Sequence, residues 1–99
     1  MVVKAGILSA KRMTKMLKIH YFASLREQMG RECDDLVLPN NVSNVAELID
    51  SIMRSDSVFK DVFDSAPKVL VAVNQVVVSM DHKLTEDEEI AFFPPLTGG

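Results

Sequence analysis

One stretch near the middle of the chain carries the apolar spacing of an amphipathic helix, and strand-type patterns flank it on both sides. Asn44 followed by Glu47 fits a capping box, in which each side chain accepts a hydrogen bond from the other residue's backbone N–H. From residue 45 onward, apolar residues recur at i, i+3, i+4, i+7 and i+8, which forms one stripe on a helix. These residues are Val45, Leu48, Ile49, Ile52 and Met53. Such a helix has to bury its stripe, and the flanking strands supply the surface.

Two short strands and a turn of helix are predicted before this main helix. A period-2 pattern assigns Leu17, Ile19 and Tyr21 to one face of a strand, and Lys18, His20 and Phe22 to the other. Phe22 is the discordant apolar residue on the polar face. Ser24–Met29 is predicted as a short helix that ends at Gly30, because glycine readily adopts the left-handed conformation. Leu36–Leu38 then forms a second strand that pairs with the first.

A short helix and three strands are predicted after the main helix. The helix spans Val58–Phe63, buries Val58, Phe59, Val62 and Phe63, and packs against the sheet edge. The β-branched runs Val69–Val73 and Val76–Val78 are typical of strands that are central or buried on both faces. An acidic turn region follows, and Ile90–Phe93 is the last strand. This order predicts an α+β fold, a mixed sheet with one main helix across one face.

Length and charge limit the classes of function. A chain of 99 residues makes one domain, and its apolar runs reach only about five residues, which argues against a membrane span. Residues 16–99, the predicted folded domain, carry a net charge of −7. This acidic body argues against binding of nucleic acid, since phosphate contacts need a positive face. A basic protein partner and plain solubility both remain open as reasons for the charge.

The first fifteen residues differ from the rest. They carry four basic side chains and no acidic one, a net charge of +4. They lack a clear apolar core with a cleavage site, as a secretory signal would need. We expect residues 1–15 to be a basic, poorly ordered extension without a catalytic part.

Side chains suited to catalysis or metal binding are sparse. His20 and His82 have no second ligand at i+3 or i+4, so no metal site is expected. Cys33 is the one cysteine, which favours a reducing compartment and a cytoplasmic protein. It lies beside two aspartates and is more typical of an incidental residue than of a sulfur donor. The chain offers no recognisable catalytic triad or phosphate-binding loop, and it is not expected to catalyse a reaction alone.

The chain ends in a segment suited to reaching into another protein. Pro94 and Pro95 fix φ and lack N–H donors, so the chain leaves the sheet there. The four residues that follow can span about 13–14 Å. Gly98 and Gly99 have no side chain to collide with a narrow site, and the Gly99 carboxylate is unhindered. A free carboxylate is a poor acyl donor, but conversion to an acyl adenylate in another protein's ATP site would make it reactive toward a sulfur nucleophile. The tail is suited to deliver its carboxylate in this way, and the plain alternative is a frayed C-terminus.

Four segments of the chain share the pattern of a known family. They are Lys18–Glu27, Val73-Asn-Gln75, Asp81-His82 followed by Leu84-Thr85, and Glu89-Ile-Ala-Phe-Phe-Pro-Pro-Leu-Thr-Gly-Gly99. Together they resemble the small-subunit family of molybdopterin synthase. The resemblance covers about residues 16–99, with residues 94–99 as the tail, and is absent from residues 1–15. One departure is Glu86-Asp87-Glu88, where the family often has a glycine.

The resemblance implies a ubiquitin-like β-grasp fold and a role as sulfur carrier. By analogy, an E1-like adenylating enzyme uses ATP to activate the Gly99 carboxylate, and a sulfurtransferase system converts it to a thiocarboxylate. The large synthase subunit then receives the tail, and the sulfur passes to cyclic pyranopterin monophosphate during synthesis of the molybdenum cofactor. No cofactor is expected to be bound by the chain itself. Alternatives are a carrier for thiazole or tRNA thiolation, a ubiquitin-like modifier, and an interaction module with an inert tail.

The resemblance also implies a partner-binding surface. It comprises Phe22, Arg26, Val77 and Phe93, together with the tail residues Pro94, Pro95, Leu96, Thr97 and Gly98. An exposed aromatic ring with polar neighbours is typical of an interface anchor, which would explain Phe22 on its polar face. The alternative for Phe22 is that its ring packs under the helical turn at 24–29.

Overall fold

A computed structural model describes residues 16–66, 68–85 and 87–95 of the chain. The predictions for residues 1–15 and for residues 96–99 therefore fall outside the described residues. The elements, in chain order, are β1 (Met16–Tyr21), α1 (Ala23–Met29), β2 (Cys33–Val37), α2 (Val45–Ser55), α3 (Ser57–Ser65), β3 (Leu70–Val73), β4 (Val76–Val78) and β5 (Glu88–Phe93). Within these ranges, no helix is long and apolar enough to cross a membrane.

The strands form one mixed sheet in the order β2-β1-β5-β3-β4. β1 pairs antiparallel with β2 and parallel with β5, while β3 pairs antiparallel with both β5 and β4. The last strand in the sequence is thus the central strand of the sheet. The predicted α+β class and mixed sheet are confirmed.

The core lies between the helices and one face of the sheet. The alternation predicted for β1 is confirmed, since Leu17, Ile19 and Tyr21 are each at most 2% exposed. The stripe of α2 is buried against them, fully at Val45, Leu48 and Ile52 and partly at Ile49 and Met53. The ring of Phe92 on β5 contacts the rings of α3, edge to face with Phe59 and Phe63 at centroid distances of 5.9 and 5.1 Å. The helices therefore cover the centre of the sheet.

The helix ends are formed by the residues that the sequence indicates. Gly30 ends α1 with a φ of 76°, as predicted. The Asn44 side chain accepts a hydrogen bond from the N–H of Glu47 at 2.8 Å. The reciprocal half of the capping box is displaced by one residue, because the Glu47 carboxylate accepts from the N–H of Ser43. The backbone and hydroxyl donors of Ser43 hold the pKa of Glu47 below its usual value.

Two predictions about burial were wrong. Val76–Val78 forms an edge strand, and Val76 and Val77 are 62% and 63% exposed. The reason is the two-residue turn after Val73, which folds β4 back onto the outer side of β3. Val58 is also exposed, at 44%, because it lies on the solvent side of α3. α3 itself packs over the central strand through its phenylalanines, and the predicted contact with the sheet edge was wrong.

A polar network closes the side of the core next to β2. The Arg31 guanidinium donates to the carboxylates of Asp34 and Asp56, with N–O distances of 2.7 Å for each. Asp56 also caps α3 by accepting from the N–H groups of Val58 and Phe59. Hydrogen bonds from the Phe59 N–H and from Arg31 lower the pKa of Asp56. The network ties β2 to the junction between α2 and α3.

Candidate functional site

The tail leaves the domain from the middle of the sheet. β5 lies between β1 and β3, and its last residue is Phe93, paired with Leu70 of β3. Pro94 and Pro95 follow and are half-buried. Neither proline can donate a backbone hydrogen bond, so the ladder ends there. Leu96, Thr97, Gly98 and Gly99 follow directly and lie outside the described residues.

The open face of the sheet is the face opposite the helices, and it surrounds this exit point. It is formed by the residues that alternate, on each strand, with those that face the helices. Its central members are Lys18, His20, Leu70, Ala72, Val77, Glu89, Ala91 and Phe93. The register places His20, Ala91, Ala72 and Val77 in one row across four strands. The small side chains of Ala91 and Ala72 in this row form a depression between larger neighbours.

A groove of about 580 Å³ lies on the open face at the base of the tail. Its lining is mostly apolar, and it consists of His20, Phe22, Ala23, Gln75, Glu89, Ala91, Phe93 and Pro94. The imidazole of His20 and the ring of Phe22 are stacked at a centroid distance of 6.3 Å. Phe22 is 48% exposed, so about half of its ring surface is available to a partner. The groove is thus a shallow apolar surface with a polar rim.

Backbone hydrogen bonds fix the position of Phe22. Its N–H donates to the carbonyl of Phe92 at 3.1 Å, which extends the β1–β5 pairing by one residue. Its carbonyl accepts from the N–H of Leu25 at 3.1 Å and so starts α1. Ala23, between them, has a φ of 55°, a left-handed conformation that costs an alanine about 1–2 kcal/mol. The chain turns sharply at Ala23, and the Phe22 side chain stays on the open face.

The turn between β3 and β4 forms the opposite rim of the groove. Asn74 and Gln75 have φ values of 50° and 72°, as in a type I′ hairpin turn. The Asn74 N–H donates to the carbonyl of Glu89 at 2.8 Å, and its side-chain oxygen accepts from the Glu89 N–H at 3.0 Å. This double contact anchors the turn to β5 and holds Gln75 beside the groove.

The charged groups of the open face lie toward the start of β1. Lys18 and Asp35 approach to 3.7 Å, and His20 Nε2 lies 3.9 Å from a carboxylate oxygen of Glu89. Asp87 and Glu88 stand at the same end of the sheet, beside Met16 and Leu17. Carboxylates outnumber cations there, so this end of the open face is acidic.

The structure brings together some of the predicted site residues. Phe22, Phe93 and Pro94 line the groove, and Val77 lies on the same face on the edge strand. Arg26 is exposed one helical turn after Phe22 and does not line the groove. Pro95 is half-buried just beyond it. Their role in binding a partner stays a prediction.

Other groove residues were missed by the sequence reasoning. His20 was weighed as a metal ligand, whereas the structure stacks it on Phe22. Its position two residues before Phe22 is a signal that they share a face, and Ala91 stands in the same relation to Phe93. No sequence pattern marks Ala23 or Gln75 as a groove residue, because their positions depend on turns with positive φ.

The described residues offer no metal centre. Among them, no group of three or more histidine, cysteine, aspartate or glutamate side chains is arranged to hold an ion. His82 is exposed on the loop before Lys83, while His20 lies on β1. Cys33 is exposed on β2, where its Cα pairs with that of His20. What the arrangement can do chemically is bind a protein surface and present the tail to it.

Comparison with known proteins identifies the family of the chain. The model of the ThiS family matches residues 19–99. The molybdopterin synthase sulfur carrier subunit of Escherichia coli (strain K12) is 37% identical over 84 residues, which are 85% of this chain and 100% of that protein. The subunit of the same name from Dictyostelium discoideum is 30% identical over 89 residues, covering 88% of this chain and all of that protein.

Solved structures agree with the sequence relatives. Subunit 1 of a molybdopterin converting factor from Pyrococcus furiosus superposes with a TM-score of 0.67 at 28% identity, covering 82% of this chain and 98% of that one. Small archaeal modifier protein 1 from Haloferax volcanii reaches the same TM-score at 19% identity, covering 85% and 99%, and so indicates the fold alone. The predicted ubiquitin-like β-grasp fold is confirmed. The chain belongs to the ThiS family, and its relatives include the molybdopterin synthase sulfur carrier subunits.

Proposed function

We propose that this chain is the sulfur carrier subunit of a molybdopterin synthase. The Gly99 carboxylate attacks the α-phosphorus of ATP on an E1-like enzyme, which releases pyrophosphate and leaves an acyl adenylate. The terminal sulfur of a sulfurtransferase persulfide then displaces AMP, and a thiol cleaves the resulting sulfur–sulfur bond, which leaves the thiocarboxylate on Gly99 and a disulfide on the donor side. In the large subunit, the thiocarboxylate sulfur attacks a carbon of cyclic pyranopterin monophosphate, and water then hydrolyses the resulting thioester, which leaves the sulfur on the pterin and an ordinary carboxylate on the carrier.

The observation that carries the proposal is the place where β5 ends. The central strand runs into Phe93 and Pro94 at the edge of the apolar groove, and the tail starts there. A partner that covers the groove is therefore next to the first residue of the tail. Four further residues reach about 13–14 Å beyond Pro95, enough to cross the wall of a protein site.

The chemistry assigned to the chain needs no catalytic side chain of its own. A thiocarboxylate is a good nucleophile, and the activating and accepting sites belong to the partners. The exposed surface of the groove has the composition of a docking site, since the half-exposed Phe22 ring and other apolar side chains line it together with a few polar ones. The domain thus supplies recognition, and the tail supplies the reacting atom.

The relatives support the choice of pathway and of partner. Those that are 30–37% identical are named as molybdopterin synthase sulfur carrier subunits. A solved complex of subunits 1 and 2 of a molybdopterin-converting factor from Helicobacter pylori contains a chain of the same fold, with a TM-score of 0.56 at 18% identity. A large subunit is accordingly the partner that we propose for the groove.

A second candidate is a ubiquitin-like modifier that joins lysines through Gly99. The fold of small archaeal modifier protein 1 is compatible with it. A carrier for thiazole synthesis or tRNA thiolation is a third, within the same sulfur chemistry. These candidates differ in what becomes attached to the tail and in which protein binds the groove.

The test is a reconstituted transfer reaction. The chain, charged with sulfur by an adenylating enzyme and a sulfur donor, is mixed with a molybdopterin synthase large subunit and cyclic pyranopterin monophosphate. We expect molybdopterin to form with the full chain and not with a chain that lacks Gly99. A Lys68→Ala variant, changed at an exposed residue after α3, serves as a control and keeps full activity. Product formed without Gly99 would refute the proposal, as would conjugates to lysine as the main product.

A further inference from the structure

The basic segment 1–15 lies outside the residues that the family model matches, and neither the fold nor the groove accounts for it. Its four cations are Lys4, Lys11, Arg12 and Lys15, and it has no acidic residue. It also carries an apolar pair, Ile7 and Leu8. Residue 15 is joined to Met16, the first residue of β1, so the path of the segment begins at a known place on the sheet.

That place is acidic. Met16 and Leu17 lie beside a concave surface whose other members are Lys18, Asp35, Asp87, Glu88 and Glu89. Four carboxylates thus face one ammonium group. Lys15 is adjacent to Met16 in the chain, and Arg12 and Lys11 precede Met16 by four and five residues, so all three cations are tethered within reach of the carboxylates.

The open face leads from this acidic end to the apolar groove. β1 runs from Met16 to Tyr21, and Phe22 in the groove is six residues from Met16, about 20 Å along an extended strand. Ile7 and Leu8 are nine and eight residues before Met16, so an extended chain carries them about 27–31 Å. The pair can therefore reach the groove while the cations stay over the acidic end. The order of cations and apolar residues in the segment matches their order on the face.

We propose that residues 1–15 fold back along the open face, with Lys11, Arg12 and Lys15 on the acidic end of the sheet and with Ile7 and Leu8 in the groove beside Phe22 and Ala91. The segment is then an intramolecular occupant of the apolar surface. Its hold on that surface weakens at high salt, because exposed charges separated by more than about 3 Å are screened at 1 M ionic strength.

One consequence depends on the proposed function. If the groove is the docking site for the large subunit, the segment has to leave before that subunit binds. The segment then acts as a competitor that lowers the apparent affinity of the carrier for its partner. The folding back itself does not depend on the identity of the partner, and the experiment below involves the carrier alone.

The test uses the native cysteine as a site for a nitroxide spin label. Cys33 is exposed and is the one cysteine of the chain. Its Cα pairs with that of His20, so a label on Cys33 lies on the open face. In the labelled full-length chain, we expect the amide signals of residues 7–12 to lose most of their intensity relative to the reduced, diamagnetic label.

Two full-length variants give the comparison. The triple change K11E/R12E/K15E and the double change I7S/L8S should each restore the amide signals of the segment. A Lys60→Glu variant is the control for a change of charge, since Lys60 lies on α3, and its broadening should equal that of the unchanged chain. With the label reduced to its diamagnetic form, the amide of the buried Ile90 monitors the fold of each variant.

Equal broadening in the unchanged chain and in both variants would overturn the proposal, because a segment that only passes near the label would give that result. Absence of broadening in the unchanged chain would overturn it as well. Neither result bears on the proposed function, which is decided by the transfer reaction with and without Gly99.

Discussion

Replacement of Phe22 by alanine tests whether the groove is the docking surface for the large subunit. The ring is 48% exposed in the carrier alone. A phenylalanine buries about 150–250 Å² in total, so about 100 Å² remains for a partner to cover. At about 25 cal/mol per Å², and with the alanine methyl group retained, the loss is about 2 kcal/mol of binding free energy. That corresponds to a dissociation constant about 30-fold higher.

The same change has a cost in the folded carrier, which the experiment has to separate. The other half of the ring is buried, and it stacks on the imidazole of His20. We expect the free energy of unfolding to fall by about 1–2 kcal/mol, which a urea titration measures. The backbone role of Phe22 at the start of α1 is kept, because it uses the main chain and not the side chain.

Isothermal titration calorimetry with a molybdopterin synthase large subunit, at a temperature where both carriers are folded, gives the two dissociation constants. The matched control is Val58→Ala, which trims a side chain that is 44% exposed on α3 and outside the groove. A dissociation constant for Phe22→Ala within about twofold of the unchanged chain would refute the reasoning from exposed area, since such a ratio is under about 0.5 kcal/mol. Equal weakening by Val58→Ala would refute the choice of face.

Three further changes test the architecture that holds the groove. Gln75→Gly should raise the free energy of unfolding by up to about 1 kcal/mol, because glycine adopts the positive φ of this turn without the cost of a side chain, and a lower urea midpoint would contradict this. Arg31→Met should lower it by about 1–2 kcal/mol, since the ion pairs with Asp34 and Asp56 are about one-third exposed and partly screened, and an unchanged midpoint would contradict it. Burial and the hydrogen bond to Asp34 raise the pKa of Tyr21, so its contribution to stability is full below about pH 10 and is lost as the pH rises through the folded pKa. Tyr21 is the one tyrosine, so ultraviolet absorbance follows its ionisation alone, and a midpoint near pH 10 in the folded chain would contradict the prediction.

The sequence was sufficient where local pattern and local geometry coincide. The alternation at Leu17, Ile19 and Tyr21 correctly predicted β1 and the face of it that is buried. The glycine at position 30 marked the end of α1 because its left-handed φ is a local property. The stripe of α2 identified the side of that helix that packs on the sheet. In each of these cases a few neighbouring residues determine the result.

Burial that depends on distant neighbours was not predictable in the same way. Val76 and Val77 look like core residues in sequence, and β4 becomes an edge strand because its second neighbour is missing among the described strands. Val58 has the same apolar character as Val62, and the rotation of α3 on the sheet decides which of them is exposed. Neighbours of this kind are set by strand order and helix placement, which no local pattern carries.

In the candidate site, too, local sequence patterns mark some residues, while the place of others depends on neighbours that are distant in sequence. Phe22 and the prolines were assigned to the site through the family resemblance, and the broken alternation at Phe22 and the end of the strand at the prolines agree with that assignment. The groove needs small residues beside those rings, and an alanine such as Ala91 gives no signal in a sequence of mixed composition. The acidic end of the open face likewise exists only because β1, β2 and β5 start or end there together.

Mass spectrometry shows whether the sulfur is carried on Gly99. The chain is incubated with an E1-like adenylating enzyme, ATP and a sulfur donor. The masses of the intact protein and of its C-terminal peptide are then measured. Exchange of one carboxylate oxygen for sulfur adds about 16 Da to the chain and to the peptide that ends in Gly99. We expect this gain in the full chain and no gain in a chain that lacks Gly99. An unchanged mass, or a 16 Da gain located at Met or Cys33 and not at the last peptide, would contradict it.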